Sequence, residues 1–71
     1  MYRGMFKGGK MEGFGVYFYE KKKEKYIGYW KNEEYNGDGY IENEKGEKIK
    51  IGVYENNKLI ENKLIEELNF E

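Results

Sequence analysis

The side chains with any capacity for chemistry are lysines, tyrosines and carboxylates. The 71-residue chain contains no Ser, Thr, Cys or His, so a hydroxyl or thiol nucleophile of the serine or cysteine type and an imidazole base are both absent. The soft ligands of zinc-type sites are missing as well, and no disulfide is possible. Asp38 is the sole aspartate, and no pair of carboxylates stands in a recognisable motif. Gly13-Phe14-Gly15 and Gly37-Asp38-Gly39 lack the further glycine and the Lys-Ser/Thr that phosphate-binding loops require. These residues exclude the common catalytic constellations. The expectation is a protein that is not an enzyme, with no catalytic residue, metal site, cofactor or small-molecule substrate.

Charge offers one candidate site. Lys21, Lys22, Lys23 and Lys25 cluster in five positions, where they could contact anionic lipid headgroups. Glu20 and Glu24 dilute the run, so a solvated loop is the simpler reading. Residues 1–31 carry eight basic and three acidic groups, a balance of +5. Residues 32–71 carry five basic and eleven acidic groups, a balance of −6, for a net −1. The acidic second half argues against nucleic acid as a partner. Lys, Glu, Asn, Tyr, Ile and Gly dominate the composition, and all but glycine have A/T-rich codons, so lysine abundance is coding background before it is function.

The elements that must position these groups are written in glycines and aromatics. Tyr2-Arg3-Gly4-Met5-Phe6 recurs 24 residues later as Tyr26-Ile27-Gly28-Tyr29-Trp30, and Gly13-Phe14-Gly15 recurs as Gly37-Asp38-Gly39. A weaker third copy, Lys50-Ile51-Gly52-Val53-Tyr54, keeps the glycine and the second aromatic. Residues two apart in a strand share a face, so a glycine between two aromatics leaves an open slot that a neighbouring ring can fill. Glycine inside a strand is costly unless something packs on it. Strands are predicted at Phe14 to Tyr19, Lys25 to Trp30, Gly39 to Asn43 and Glu47 to Tyr54. Glu20 to Glu24 and Asn43 to Gly46 are the predicted turns, with Lys7 to Glu12 and Lys31 to Asn36 as connections. The expected fold is mainly β: tandem antiparallel β-hairpins forming one twisted open sheet.

This pattern resembles the MORN repeat (membrane occupation and recognition nexus). Tyr2, Gly4, Phe6, Lys10, Gly13 and Gly15 match its landmarks in unit one, Tyr26, Gly28, Trp30, Gly37 and Gly39 in unit two, and Gly52 and Tyr54 in a third. The resemblance divides the chain into an array over 1–55 (unit one 2–25, unit two 26–49, partial unit three 50–55) and a tail over 56–71. Lys22 stands where a turn glycine is common, and Glu61 and Lys63 replace the third Gly-x-Gly. In the tail, Ile60, Leu64 and Leu68 recur four apart beside Ile65, which predicts a C-terminal amphipathic α-helix, N-capped by Asn56 or Asn57, that caps the sheet or docks on a partner. A continued strand over 58–63 is the alternative.

One aromatic ladder, Tyr2, Phe6, Tyr26, Trp30 and Tyr54, is read as mostly structural. The opposite face carries Phe14, Val16, Phe18, Ile27, Tyr29, Tyr40, Ile51 and Val53. A one-layer sheet with one short helix cannot bury both faces, and a remaining apolar face or open edge marks an interaction surface. Tyr29, Trp30, Phe14, Phe18, Tyr40 and Val53 are the expected protein-contact residues. The expected function is a scaffold or interaction module that acts by self-association or by binding a protein partner, which could be a larger repeat protein. The family name implies an alternative, peripheral binding to an anionic membrane through Lys21, Lys22, Lys23 and Lys25. No apolar leader opens the sequence, and the expected location is the cytoplasm, peripheral to a membrane or the cytoskeleton.

Overall fold

The computed structural model describes residues 1–70. Six strands form one antiparallel sheet in strict chain order: β1 (Tyr2–Lys7), β2 (Lys10–Tyr19), β3 (Glu24–Lys31), β4 (Glu34–Glu42), β5 (Lys48–Glu55) and β6 (Lys58–Asn62). β1 and β6 do not meet, so the sheet stays open.

The 24-residue period governs turns as well as strands. β1–β2, β3–β4 and β5–β6 close through Gly8-Gly9, Asn32-Glu33 and Asn56-Asn57, and all six turn residues have positive φ, between 51° and 79°. Two successive residues of positive φ make the tight turn whose twist matches paired strands. The connections expected over Lys7 to Glu12 and Lys31 to Asn36 are therefore two-residue turns inside longer hairpins. The second and third turns latch onto the preceding unit: Glu33 donates its N–H to the Met11 carbonyl at 3.1 Å, and Asn57 donates to the Tyr35 carbonyl at 3.2 Å.

The landmarks have distinct jobs. Met5 lies opposite the three residues 12–14, because Gly4 pairs with Gly15 while Phe6 pairs with Met11. Tyr29 faces 36–38 in the same way. The middle residue of each bulge is the first glycine of the Gly-x-Gly, with φ of +85° at Gly13 and +108° at Gly37, a conformation that side chains resist. The second glycine is a floor. The Tyr26 ring crosses Gly39 so closely that a Cβ there would lie 2.7 Å from Cζ. The Tyr26 hydroxyl then donates to the Tyr29 carbonyl at 2.9 Å, and Tyr2 does the same to Met5 at 2.8 Å.

The core is one face of the sheet, bent by its bulges until its aromatics bury one another. Tyr26 is 0% exposed, Trp30 4% and Tyr54 4%, packed by Tyr2, Met11, Tyr17, Tyr19, Tyr35, Ile41 and Leu59. Tyr35 stacks flat on Tyr26 at 3.8 Å, while Trp30 meets Tyr2, Tyr26 and Tyr35 edge to face. The Trp30 indole N–H donates to the Gly15 carbonyl at 3.2 Å.

The tail corrects the predicted C-terminal α-helix. No α-helix is present among the described residues; the tail forms β6 and a single 3-10 turn, Ile65–Glu67. Asn56-Asn57 is the third hairpin turn and not a helix N-cap. Leu59 occupies the inner-face place that Tyr35 and Met11 hold 24 and 48 residues earlier in the repeat, so hairpin pairing with Tyr54 overrides the four-residue periodicity. The strand alternative over 58–63 matches the observed β6.

Candidate functional site

Strand alternation sends the remaining apolar side chains to the outer face. Phe14 pairs with Tyr29, Val16 with Ile27, Ile27 with Tyr40, and Asp38 with Val53. These residues form a half-buried stripe across β2 to β5. Its two ends differ.

At one end, Met1, Arg3, Val16, Phe18 and Lys25 line an open groove of about 350 Å³. Its floor is apolar and its rim basic. The Met1 ammonium is fixed by the Phe18 carbonyl at 3.1 Å, and Lys25 is paired with Glu42 at 3.3 Å. A second groove of about 320 Å³ runs from Met1, Tyr17, Phe18 and Tyr19 to Glu20, Lys21 and Lys22 at the hairpin tip. Lys21, Lys22, Lys23 and Lys25 are all exposed. The Lys22 ammonium lies over the Tyr19 ring, 5.3 Å from its centroid, a cation–π distance.

At the other end the stripe is covered by the chain itself. Beyond β6, residues 63–70 cross the outer face from β5 toward β2. Lys63 donates its N–H to the Ile51 carbonyl at 2.9 Å. Asn69 is then held on both sides of its backbone: its N–H donates to Asp38 Oδ2 at 2.8 Å, and its carbonyl accepts from the Tyr29 hydroxyl at 3.1 Å. Phe70 drops its ring among Phe14 (5.4 Å), Tyr29 (5.9 Å) and Tyr40 (6.1 Å). The Lys48 ammonium lies over the Tyr40 ring at 5.8 Å.

The structure thus brings Phe14, Tyr29 and Tyr40 into one cluster beneath Phe70, and places Phe18 separately in the open groove. Val53 stands half-buried beside Asp38. Trp30 is corrected as a contact residue. It points to the inner face, is buried and donates its indole N–H to the Gly15 carbonyl, so it is not presented at the surface. Sequence reasoning missed Asp38, Asn69 and Phe70. The signal for Asp38 was available: it is the lone aspartate, set between the glycines of a bulge.

Burial pushes the core phenols away from ionisation. Tyr54 is raised to about 12. Tyr26 and Tyr35 are raised further, first by burial and then by the neighbouring phenols, which include a hydrogen bond between the Tyr19 and Tyr35 hydroxyls. None of these groups carries charge at neutral pH, and the inner face presents no base. Among the described residues, no group of three or more carboxylates converges as a metal site, and no helix is long and apolar enough to cross a membrane.

No family model matches the chain, and no curated protein matches it.

Proposed function

We propose that this chain is a non-catalytic interaction module of the MORN type that associates with itself through its sheet edges. One observation carries the reading: the largest exposed apolar side chains gather at the two unpaired edges. Met5 and Phe6, about 60% exposed, lie on β1, and Ile60, 57% exposed, lies on β6 with Leu64 just beyond. An open edge presents unpaired N–H and C=O groups, a template for a further strand. Apolar side chains alongside add burial to that pairing. The repeat supports the class, since the turns, bulges and glycine floors recur at 24 residues.

Light scattering after size exclusion, at two protein and two salt concentrations, tests this. The expected result is a dimer or larger species that Ile60→Lys or Met5→Lys weakens. A monomer at millimolar concentration would refute self-association.

A second reading follows from the groove that joins Met1, Tyr17, Phe18 and Tyr19 to the exposed lysine tip. Apolar and basic groups side by side suit an anionic lipid surface. It predicts salt-sensitive sedimentation with anionic vesicles, lost when Lys21, Lys22 and Lys23 become Glu. Vesicles that leave the protein in the supernatant at low salt would exclude it.

A further inference from the structure

The strap formed by residues 63–70 is a ligand held in a built site. Asp38 and Tyr29 read the two backbone hydrogen-bonding groups of one residue, Asn69, and the Phe14–Tyr29–Tyr40 slot takes the ring of the next. Such a site recognises one residue's backbone followed by an aromatic, and it would bind that pair equally whichever copy supplied it. We infer that a second copy of this chain supplies it, so that two molecules exchange their C-terminal straps across paired β6 edges.

Three observations favour the exchange. The strap is lightly held between its ends: the 3-10 turn contains no buried residue, and Leu64 and Ile65 are exposed. The edge beside it is open, and Ile60 projects from it uncovered. The geometry is compatible with both arrangements. A two-fold axis normal to the sheet pairs β6 with its mate antiparallel and keeps the outer faces on one side. A strap continuing over the mate then crosses β6, β5 and β4 in the order it follows at home.

The required reach is available. At home the strap spans about two and a half strand spacings, or ~12 Å, from β6 to the β4–β3 boundary. Across the dimer, with the two-fold axis passing Asn62 so that the two straps start level, it needs one spacing more, ~17 Å in all. The seven steps from Asn62 to Asn69 extend to at most about 24 Å. Unwinding the three residues of the 3-10 turn into extended chain itself releases ~4 Å, close to the extra spacing. That turn is held by few contacts, including the Glu67 carboxylate on the Leu64 N–H at 2.9 Å, so it serves as the hinge. Exchange of an identical element is a low-cost route to a dimer, because the contacts of Asn69 and Phe70 are recreated and only the hinge's own bonds are given up.

This inference rests on the self-association proposed above, and the test separates the two. Equal amounts of isotope-labelled and unlabelled wild-type chain are mixed under denaturing conditions, refolded at high concentration and examined by filtered NOE spectroscopy. The expected result is intermolecular NOEs from the Phe70 ring to Phe14 and Tyr40. In parallel, Phe70→Ala is expected to raise the dimer dissociation constant at least tenfold while leaving the far-UV spectrum unchanged. A dimer whose Phe70 contacts are all intramolecular, or whose stability ignores Phe70→Ala, overturns strap exchange and leaves edge association standing. A monomer throughout overturns both.

Discussion

At the residue scale, this protein depends on tyrosines seated on glycines. Tyr2 and Tyr26 each span the glycine of their own strand and the glycine opposite, then donate to the bulge carbonyl three residues on. Gly39→Ala should therefore cost more than a typical strand substitution. Its Cβ meets a packed ring 2.7 Å away rather than a mobile side-chain tip, and overpacking of this kind costs about 1–3 kcal/mol. Tyr26→Phe keeps the ring and loses one hydrogen bond, an expected loss of about 1 kcal/mol. Urea unfolding measures both, and a Gly39→Ala variant as stable as wild type would contradict the floor role. The buried phenols set a pH limit. Their folded pKa values lie above the ordinary value of 10, with Tyr54 near 12, so the unfolded chain ionises first. The stability they confer is complete below about pH 10 and lost as pH rises from there toward 12. The urea midpoint should fall across that window and stay flat, as far as these groups are concerned, from pH 7 to 9.

At the element scale, the hairpin turn decides between strand and helix. The pair Asn56-Asn57 occupies the place of Gly8-Gly9 and Asn32-Glu33, and asparagine tolerates positive φ because its short side chain bonds locally. That 24-residue correspondence was visible in the sequence, and following it would have placed Leu59 inward with Met11 and Tyr35. The four-residue spacing of Ile60, Leu64 and Leu68 pointed to a helix instead, and isolated helices this short are marginal without packing. The period, the strands and most of the inner face were legible, because glycine positions report backbone geometry directly. The clamp on Asn69 was not, because it joins residues 31 and 40 apart through a strap with no regular structure. The turns also yield a prediction. Glu33 sits at φ 68° without the local bonding that favours Asn, whereas glycine holds the matching place in the first unit. Glu33→Gly should stabilise the fold by ~1 kcal/mol, read as a raised thermal midpoint. An unchanged or lowered midpoint would show that Glu33 makes a compensating contact.

At the scale of the whole molecule, stability comes from neighbour-to-neighbour pairing with no second layer. Every paired strand is adjacent in sequence, and no disulfide or α-helix among the described residues closes the sheet. The bulges and the ring stack supply what a second layer would provide elsewhere. The uneven charge belongs to this scale. The first 31 residues carry +5 and the remainder −6, so raised salt should weaken any assembly that brings one molecule's first unit against another's last. A β6-to-β6 dimer places the acidic halves together, and its affinity should rise with salt. The slope of dimer affinity against ionic strength thus reports which edge is used.

The strict chain order of the strands has a kinetic consequence. Every hairpin can close as soon as its second strand is synthesised, since no strand waits for a distant partner, and contacts this local favour rapid folding. The inner aromatics would then assemble cumulatively, each unit building on the last. The strap comes at the end of this sequence. Asn69 and Phe70 follow all six strands along the chain, so every wall of the slot between Phe14, Tyr29 and Tyr40 precedes its occupant in sequence. Until its own strap docks, that slot is open to the strap of a neighbouring chain.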